Sequence, residues 1–396
     1  MDLDAFRWLL TADGRRLLER AAEVDPGSRS GSLAGHAALR RTASAAHVAA
    51  ALTQVELRRR AVAKFGDDAA RMFFTPEGLE QATRAPVAAH RAARARAASA
   101  ASVVDLGCGI GGDLVAFARA GATAAGVDLD ELRVEVARAN LDALGLGGAV
   151  AVADGTEVDT TPFDLAYADP ARRSARGRVF DVDGWTPPWP FVLRLLERDA
   201  CVKLAPGLPH DLVPDHVEAE WVSDHREVKE AVLWSGRLAT TRRRATVIGD
   251  GGLATLTDED LPREPVGALA EGDPLPAYVL EPDGAVIRAG LVTAVADAVG
   301  GRLLDEHIAY VGTDRAPRTP FARGYRVVEE LPFREKPLRA ALRARGVGRL
   351  TIKKRGVSVV PEELRKRLAL AGDAEATLVM TRVDGKGRAL LVEPLA

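Results

Sequence analysis

The sequence predicts an α/β protein: a mostly parallel sheet, preceded by a helical region and followed by an α+β region. Three observations carry this expectation. Val103-Val104-Asp105-Leu106 is a short apolar strand that runs directly into the glycines of Gly107-Cys108-Gly109-Ile110-Gly111-Gly112. Strand-like and helix-like segments then alternate to about residue 250. Upstream of the strand, apolar residues recur at helical spacing.

Taken in order, residues 1–98 read as helical. Phe6, Leu9 and Leu10, then Leu17 and Leu18, fall on a helical period, and Ala45 to Phe65 is a long Ala-rich run. Gly27-Ser28-Arg29-Ser30-Gly31-Ser32 separates the first helices from the rest. Thr75 and Pro76 are a good N-cap and first helical residue, and Pro86 marks where that helix stops or kinks. From 99 to 250 the expected strands are Ser102–Leu106, Ala124–Asp128, Ala149–Ala153, Leu165–Ala168 and Ala200–Leu204, with a helix over Glu131–Leu144. Ala231–Trp234 and Arg244–Ile248 flank Ser235-Gly236 and suggest a closing antiparallel pair. The Pro/Gly-rich stretch 251–275 reads as a linker. Beyond it, 276–320 suggests a strand at Val286–Arg288, a helix at Leu291–Ala298 and a strand at Ile308–Tyr310. In 321–396, strands are expected near Gly324–Glu329, Arg349–Lys353 and Thr377–Val383, with helices at Pro337–Arg345 and Pro361–Leu370.

Composition narrows the class. With 396 residues and 47% hydrophobic content the chain can form several cores. No apolar run approaches the ~20 residues a bilayer requires. The acidic Met1-Asp2-Leu3-Asp4 start is unlike a secretion signal. Two cysteines, Cys108 and Cys201, cannot make a disulfide framework, which agrees with a cytoplasmic location. No zinc-ligand spacing appears, so no metal is expected. The net charge of −2 conceals an asymmetry: residues 321–370 hold fourteen Lys/Arg against five Asp/Glu. Any affinity for a polyanion should reside there.

Carboxylates recur where successive strands end. The glycine turn lets backbone pass close to a bound nucleoside, because no Cβ intrudes. Gly107, Gly109 and Gly112 also fit G-x-G-x-x-G, so the glycines alone do not choose a cofactor. Asp128 ends the next strand, at the spacing that suits the two hydroxyls of a ribose, which NAD and S-adenosylmethionine both carry. Asp154 ends the third strand, where a carboxylate can accept from an exocyclic amino group; Asp-Gly is also an ordinary turn. Asp169-Pro170-Ala171-Arg172 ends the fourth strand, where a carboxylate and adjacent carbonyls can grip an amino or ring N–H and aim its lone pair.

Asp105-x-Gly107-x-Gly109-x-Gly111, Asp128, Asp154 and Asp169-Pro170 together resemble the ordered motif set of the class I S-adenosylmethionine-dependent methyltransferases, over residues 99–250. The resemblance implies a Rossmann-like sheet with S-adenosyl-L-methionine as cofactor. It places the methionine and ribose portion at Asp105, Gly107, Gly109 and Gly111, the ribose hydroxyls at Asp128 and the adenine at Asp154. Asp169, Pro170 and Arg172 become the candidate catalytic residues. An NAD-binding domain would not account for Asp154 or Asp169-Pro170.

The substrate class is read from weaker signals. Asp169-Pro170 is similar to the (Asn/Asp)-Pro-Pro-(aromatic) signature of methyltransferases that act on amino nitrogens, but Ala171 and Arg172 occupy the last two positions. Trp185 or Trp189 on the following loop could supply the missing stacking surface, or could be ordinary packing. Asp-Pro-Ala-Arg also resembles the motif of RNA uracil-C5 methyltransferases. Those enzymes need a cysteine at the end of the next strand, where Leu204 stands here, with Cys201 inside the strand. Phe73-Phe74-Thr75-Pro76-Glu77-Gly78-Leu79 resembles the opening segment of trimethylguanosine synthase-type RNA methyltransferases, and a core role for the two phenylalanines is an equal alternative. Residues 321–396, around Arg345 to Arg355, resemble a THUMP-like RNA-binding module, with a ferredoxin-like segment at 276–320 before it. Arg345, Arg349, Lys353, Lys354 and Arg355 are its candidate phosphate contacts, or else a solvated cationic face. The expectation is an RNA methyltransferase acting on a base nitrogen of tRNA or rRNA. The alternatives are a protein or small-molecule methyltransferase, and a non-catalytic RNA-binding protein with a vestigial cofactor pocket.

Overall fold

The protein's structure, a computed structural model, describes residues 1–24, 35, 37–172, 184–270 and 272–395, without the side chains of residues 171 and 172. The loop expected at Gly27–Ser32 lies outside the described residues. The chain divides into two compact units, Met1–Glu218 with Val232–Thr240, and Ala219–Ala231 with Thr241–Ala396. This differs from a boundary near 250, and the physical reason lies in the strands around it, described below.

In the first unit the N-terminal helices are α1 (Leu3–Leu9), α2 (Ala12–Glu23), α3 (Ala45–Phe65), α4 (Pro76–Gln81) and α5 (Ala85–Ala97). Side chains at the N-caps hold three of them: Asp2, Thr11 and Ser44 each accept from an amide of the first turn. Thr75 caps α4 in the same way, with Pro76 in its first turn. Phe6, Leu9, Leu57, Phe65, Met72 and Phe74 form one core with Ile110 of the glycine turn and Val136. Phe73 and Phe74 therefore pack rather than project. Asn140 stitches this segment to the turn: it accepts from the Phe73 amide at 2.6 Å and donates to the Ile110 carbonyl at 2.8 Å.

The sheet that follows contains β1 (Ser102–Leu106), β2 (Thr123–Asp128), β3 (Ala149–Val152), β4 (Leu165–Ala168) and, after a short β5/β6 ladder (Ala171–Arg172 with Trp185–Thr186), β7 (Ala200–Leu204). All five long strands are parallel, in the order β7-β4-β1-β2-β3. The order reverses at β1, so β1 and β4 flank the switch point at which open α/β sheets bind ligands. Helices α6 (Gly112–Arg119) and α7 (Glu131–Leu144) make the crossovers, and α8 (Trp189–Leu195) precedes β7. The predicted strands agree with these ranges to within about a residue or two.

Two expectations about the strands beyond 215 are corrected. Ala231–Trp234 and Arg244–Ile248 belong to β9 (Glu227–Trp234) and β10 (Arg243–Gly249), which are not neighbours. β10 runs parallel to β8 (Glu218–Asp224), with Arg243 opposite Ala219 and Ile248 opposite Asp224. β8 is buried throughout yet holds Glu218, Glu220, Ser223 and Asp224, so neither an apolar run nor an alternation marks it. Its two glutamates are satisfied inside, Glu220 by Thr246 at 2.5 Å and Glu218 by Arg94 at 2.7 Å. The linker expected from 251 starts with a strand instead: β11 (Gly252–Thr257) folds back on β10.

The rest of the second unit is one seven-stranded sheet, β13-β14-β12-β15-β18-β17-β16. Its strands are β12 (Tyr278–Pro282), β13 (Arg302–Asp305), β14 (Ile308–Thr313), β15 (Ala322–Leu331), β16 (Val347–Lys354), β17 (Ala374–Val383) and β18 (Lys386–Pro394). β12 pairs directly with β15, so residues 276–320 and 321–396 contribute strands to one sheet. Val286–Arg288 is not a strand; it lies in helix α9 (Gly284–Ala289), capped by Asp283 accepting from Ala285 N. Helix α10 (Val292–Ala298) follows, and α11 (Glu335–Ala344) and α12 (Pro361–Leu368) bury Leu338, Leu342, Leu364 and Leu368 against the sheet.

Candidate active site

The C-terminal ends of β1, β2 and β4 open into a cleft of about 600 Å³, within the range of small-molecule sites. The glycine turn forms its floor. Gly107 and Cys108 both donate to the Val127 carbonyl, at 2.8 and 2.9 Å, which pins the turn to β2. Gly107 and Gly109 have φ of 102° and 54°, and a Cβ on either would meet open space. Their backbone is thus presented bare to the cleft. Gly111 does different work. It caps α6 at φ 81°, and a Cβ there would come within 3.2–3.3 Å of Ala137; it supports the turn and is not part of the cleft wall.

Asp128 braces the turn from the other side. Its Oδ2 accepts from Gly109 N at 3.0 Å and its Oδ1 from Asp130 N at 2.9 Å, leaving lone pairs directed at the cleft. Asp154 also lines the cleft, and its Oδ1 closes a local turn by accepting from the Thr156 amide (2.8 Å) and hydroxyl (2.7 Å). Those bonds hold its carboxyl below the usual range, so it stays an acceptor. The two readings of Asp-Gly therefore coexist at one residue.

Asp105 is strongly perturbed. It is 1% exposed, its Oδ1 has no hydrogen-bond partner, and it lines the cleft. Burial, then the charges of Asp169 and Asp128, push its pKa up to about 8. An orphaned carboxylate oxygen beneath a nucleoside cradle fits a cationic ligand group, and it is a poor place for a pyrophosphate.

Asp169 stands at the far side, one residue beyond β4. It is ion-paired to Lys203 of β7, whose ammonium also donates to Thr83 Oγ1 at 3.2 Å. Thr83 in turn donates to Asp113 at 2.8 Å, and Asp113 accepts from Tyr167 at 3.1 Å and is ion-paired to the buried Arg91. Lys203, Thr83 and Asp113 were not apparent as site residues in the sequence. Lys203 had one usable signal, a charge next to the last residue of an otherwise apolar strand. Gly78 is a second omission: a Cβ there would lie 2.3 Å from Ile110, so glycine is what lets α4 approach the turn.

The remaining candidates separate. Pro170 is half-buried beside Asp169 and does not line the cleft; the side chain of Arg172 lies outside the described residues. Trp185 is 5% exposed and packs edge-on against Trp189, ring centroids 5.4 Å apart, while Thr186 and Pro187 line the cleft between them in sequence. Both cysteines are buried: Cys201 is at 0% within β7, and burial pushes the Cys108 thiol far up. In the second unit Arg345 pairs with Glu329 (2.5 Å), Arg349 with Glu375 (2.5 Å) and Lys353 with Glu281 (3.2 Å). Arg355 lies over the Tyr310 ring at 5.6 Å, and Lys354 alone of the five is exposed with no ion-pair partner among the described residues. No cluster of His, Cys, Asp or Glu among the described residues could hold a metal, and no helix of the described residues is long and apolar enough to cross a membrane.

Residues 103–173 match a methyltransferase domain family, residues 322–394 a THUMP domain-like family, and residues 2–61 a domain of unknown function (DUF8688). Two Mycobacterium tuberculosis proteins, from strains CDC 1551/Oshkosh and H37Rv, are each 38% identical over 338 residues, covering 83% of this chain and 90% of theirs. Both are described as uncharacterized S-adenosylmethionine-dependent methyltransferases. A crystal structure of a protein assigned as a methyltransferase from Porphyromonas gingivalis W83 superposes with a TM-score of 0.76 at 25% identity, covering 98% of this chain and all of that one.

Proposed function

The chain belongs to the S-adenosylmethionine-dependent methyltransferases, and we propose that it methylates a base nitrogen in RNA, of the tRNA or rRNA class, in the cytoplasm. The observation that carries this reading is Asp169, a carboxylate fixed by Lys203 at the edge of the cofactor cleft, where it can accept an N–H from an acceptor amine. The THUMP domain-like match supports RNA as the substrate class.

The residues present fit the cofactor. The unpartnered Asp105 oxygen suits its α-ammonium group, the free lone pairs of Asp128 suit the ribose hydroxyls, and Asp154 suits the adenine amino group. When bound, S-adenosylmethionine would supply an electrophilic methyl on sulfur and leave as the neutral thioether, and the N–H proton displaced by the new N–C bond would pass to water. The protein's part is positioning. Asp169 orients the amine so that its lone pair points at the methyl, and Lys203 with Thr83 keeps Asp169 in place. Neither cysteine is available as the nucleophile that pyrimidine carbon methylation requires, since Cys201 lies inside a strand and Cys108 holds its proton.

The test is transfer of radiolabelled methyl to bulk RNA from cells lacking the protein, with wild type and Asp169→Ala side by side. Label is expected in one RNA class and absent with the variant, which should still bind S-adenosylhomocysteine. Tight cofactor binding with no labelled RNA would overturn the RNA reading and leave a protein or small molecule as acceptor. Full function of Asp169→Ala in cells would point to a non-catalytic role.

A further inference from the structure

Arg345, Arg349 and Lys353 are matched by carboxylates, whereas three arginines elsewhere in the second unit are not. One cleft of about 500 Å³ in the second unit is lined by Arg226, Arg318 and Arg323, together with Thr319, Gly324 and Leu395. All three arginines are exposed. Among the described residues none of the three has a carboxylate partner; the guanidinium of Arg323 instead lies over the ring of Tyr325, 5.6 Å from its centroid. The three come from separate places in the chain, the β8–β9 turn, the loop after β14 and the start of β15, so no run of basic residues announces them.

The turn that presents Arg226 is built to hold its shape. His225 and Arg226 sit at φ 49° and 68°, the left-handed pair that a tight hairpin needs and that glycine or asparagine adopts at least cost. His225 is clamped on both sides, Nδ1 to Asp224 at 2.7 Å and Nε2 to Asp250 at 3.1 Å, with Asp224 almost fully buried. These carboxylates raise the His225 pKa. A rigid turn thus places a long arginine at the edge of a cleft that already contains two more. Guanidinium groups with unused donors, converging on one cleft, match the oxygens of a phosphoryl group.

We infer that this arginine cleft binds backbone phosphate of the RNA substrate, and that it, more than the Arg345–Arg355 run, supplies the electrostatic part of RNA affinity. The inference rests on the proposed RNA substrate, and its chemistry is that of any phosphoryl group, so free phosphate is the source to be told apart. The experiment uses the full chain and a fluorescently labelled unfractionated tRNA pool, titrated at several salt concentrations. The proteins compared are wild type, Arg226→Glu with Arg318→Glu, Arg226→Gln with Arg318→Gln, and Arg349→Glu.

The Glu pair should lose about tenfold or more in affinity and flatten the slope of log K against log salt by about one to two, the effect of one or two phosphates; the Gln pair should fall between. Arg349→Glu should stay within about twofold. S-adenosylhomocysteine binding and thermal midpoints should match wild type, since both substituted arginines are exposed and in loops. RNA affinity and salt slope unchanged in both pairs overturn the inference. Unchanged RNA affinity together with a thermal shift by inorganic phosphate that the Glu pair loses would overturn the polynucleotide source and assign a free anion. Arginine-dependent RNA binding without methyl transfer to any RNA would sustain the cleft while defeating the proposed reaction.

Discussion

In the parallel sheet, carboxylates at the ends of β1 and β2 and just past β3 and β4 converge on one cleft. In the C-terminal sheet, Arg326, Arg349, Arg345 and Lys353 are instead dispersed into separate ion pairs with Glu393, Glu375, Glu329 and Glu281. Both regions looked equally marked in sequence, one by acids and the other by bases. The difference is geometric. Parallel βα units send every strand's C-terminal end to the same edge, so acids at successive strand ends gather at one cleft by placement alone. In the C-terminal sheet only two of the four bases face their acids across adjacent strands, Arg326 over antiparallel β15/β18 and Arg349 over parallel β16/β17; Lys353 and Arg345 find theirs through packing of elements that are not strand neighbours. Like charges gathered at one cleft mark a candidate site; opposite charges paired off singly at the surface mark a solvated face.

That contrast can be broken first at its strongest point. Asp169→Asn keeps the shape and removes the charge that holds Lys203, and should lower kcat about 10²–10³-fold while leaving S-adenosylhomocysteine affinity within about threefold. Methyl-transfer kinetics with calorimetry on the same samples decides it, and an equal loss of both quantities would mean that Asp169 serves the cofactor. Lys203→Met, acting through Asp169, should cost less and appear in kcat more than in KM.

Asp128→Ala comes next. It removes both the acceptors for a ribose and the brace on Gly109, and should weaken cofactor binding about 10–100-fold, as loss of charge-assisted hydrogen bonds does. Wild-type affinity would return Asp128 to a purely structural part.

Asp105 gives a pH signature. Its carboxyl titrates at about 8 in the folded protein against an ordinary value near 4, so between those values the folded state holds a proton that the unfolded chain has released. Stability of the cofactor-free protein should therefore fall as pH rises from about 4 to 8 and level off above. Asp105→Asn should flatten that decline and raise stability at pH 7 by about 1–2 kcal/mol, while weakening cofactor binding. Cofactor binding to the wild type at pH 7 should release a proton, read as a heat that varies with buffer ionisation. Denaturation from pH 5 to 9 showing no difference between the two proteins would place the Asp105 pKa in the normal range.

The smallest expected effect belongs to the other side of the comparison. Reversing the charge at Arg345 should change RNA affinity by no more than about twofold, because its guanidinium already faces Glu329. A tenfold loss in a filter-binding assay would show that this pair opens for RNA and that ion pairing is no guide to charge availability here.

Much of the first unit was legible for a physical reason. Gly107 and Gly109 need positive φ, Thr75-Pro76 starts a helix, and strand-ending acids follow one another in a fixed order, all of which are local properties of the chain. The misses share the opposite character. β8 escaped notice because its buried Glu218 and Glu220 are satisfied by residues distant in sequence, Arg94 and Thr246. Val286–Arg288 took helical form because Asp283 capped it. Trp185 is buried against Trp189, and Gly111 approaches Ala137 and does not line the cleft, contacts that depend on residues brought together by the fold.

By itself the sequence determined the parallel sheet, the nucleoside cradle and the row of acids that face it. Each follows from backbone preferences and from strand order, which the chain encodes a few residues at a time. Only the tertiary structure decided that Lys203 holds Asp169, that Asp105 is left without a partner, and which arginines remain unpaired. Those are properties of charge in three dimensions: a Coulomb interaction depends on distance through space and on burial, and neither is written in distance along the chain.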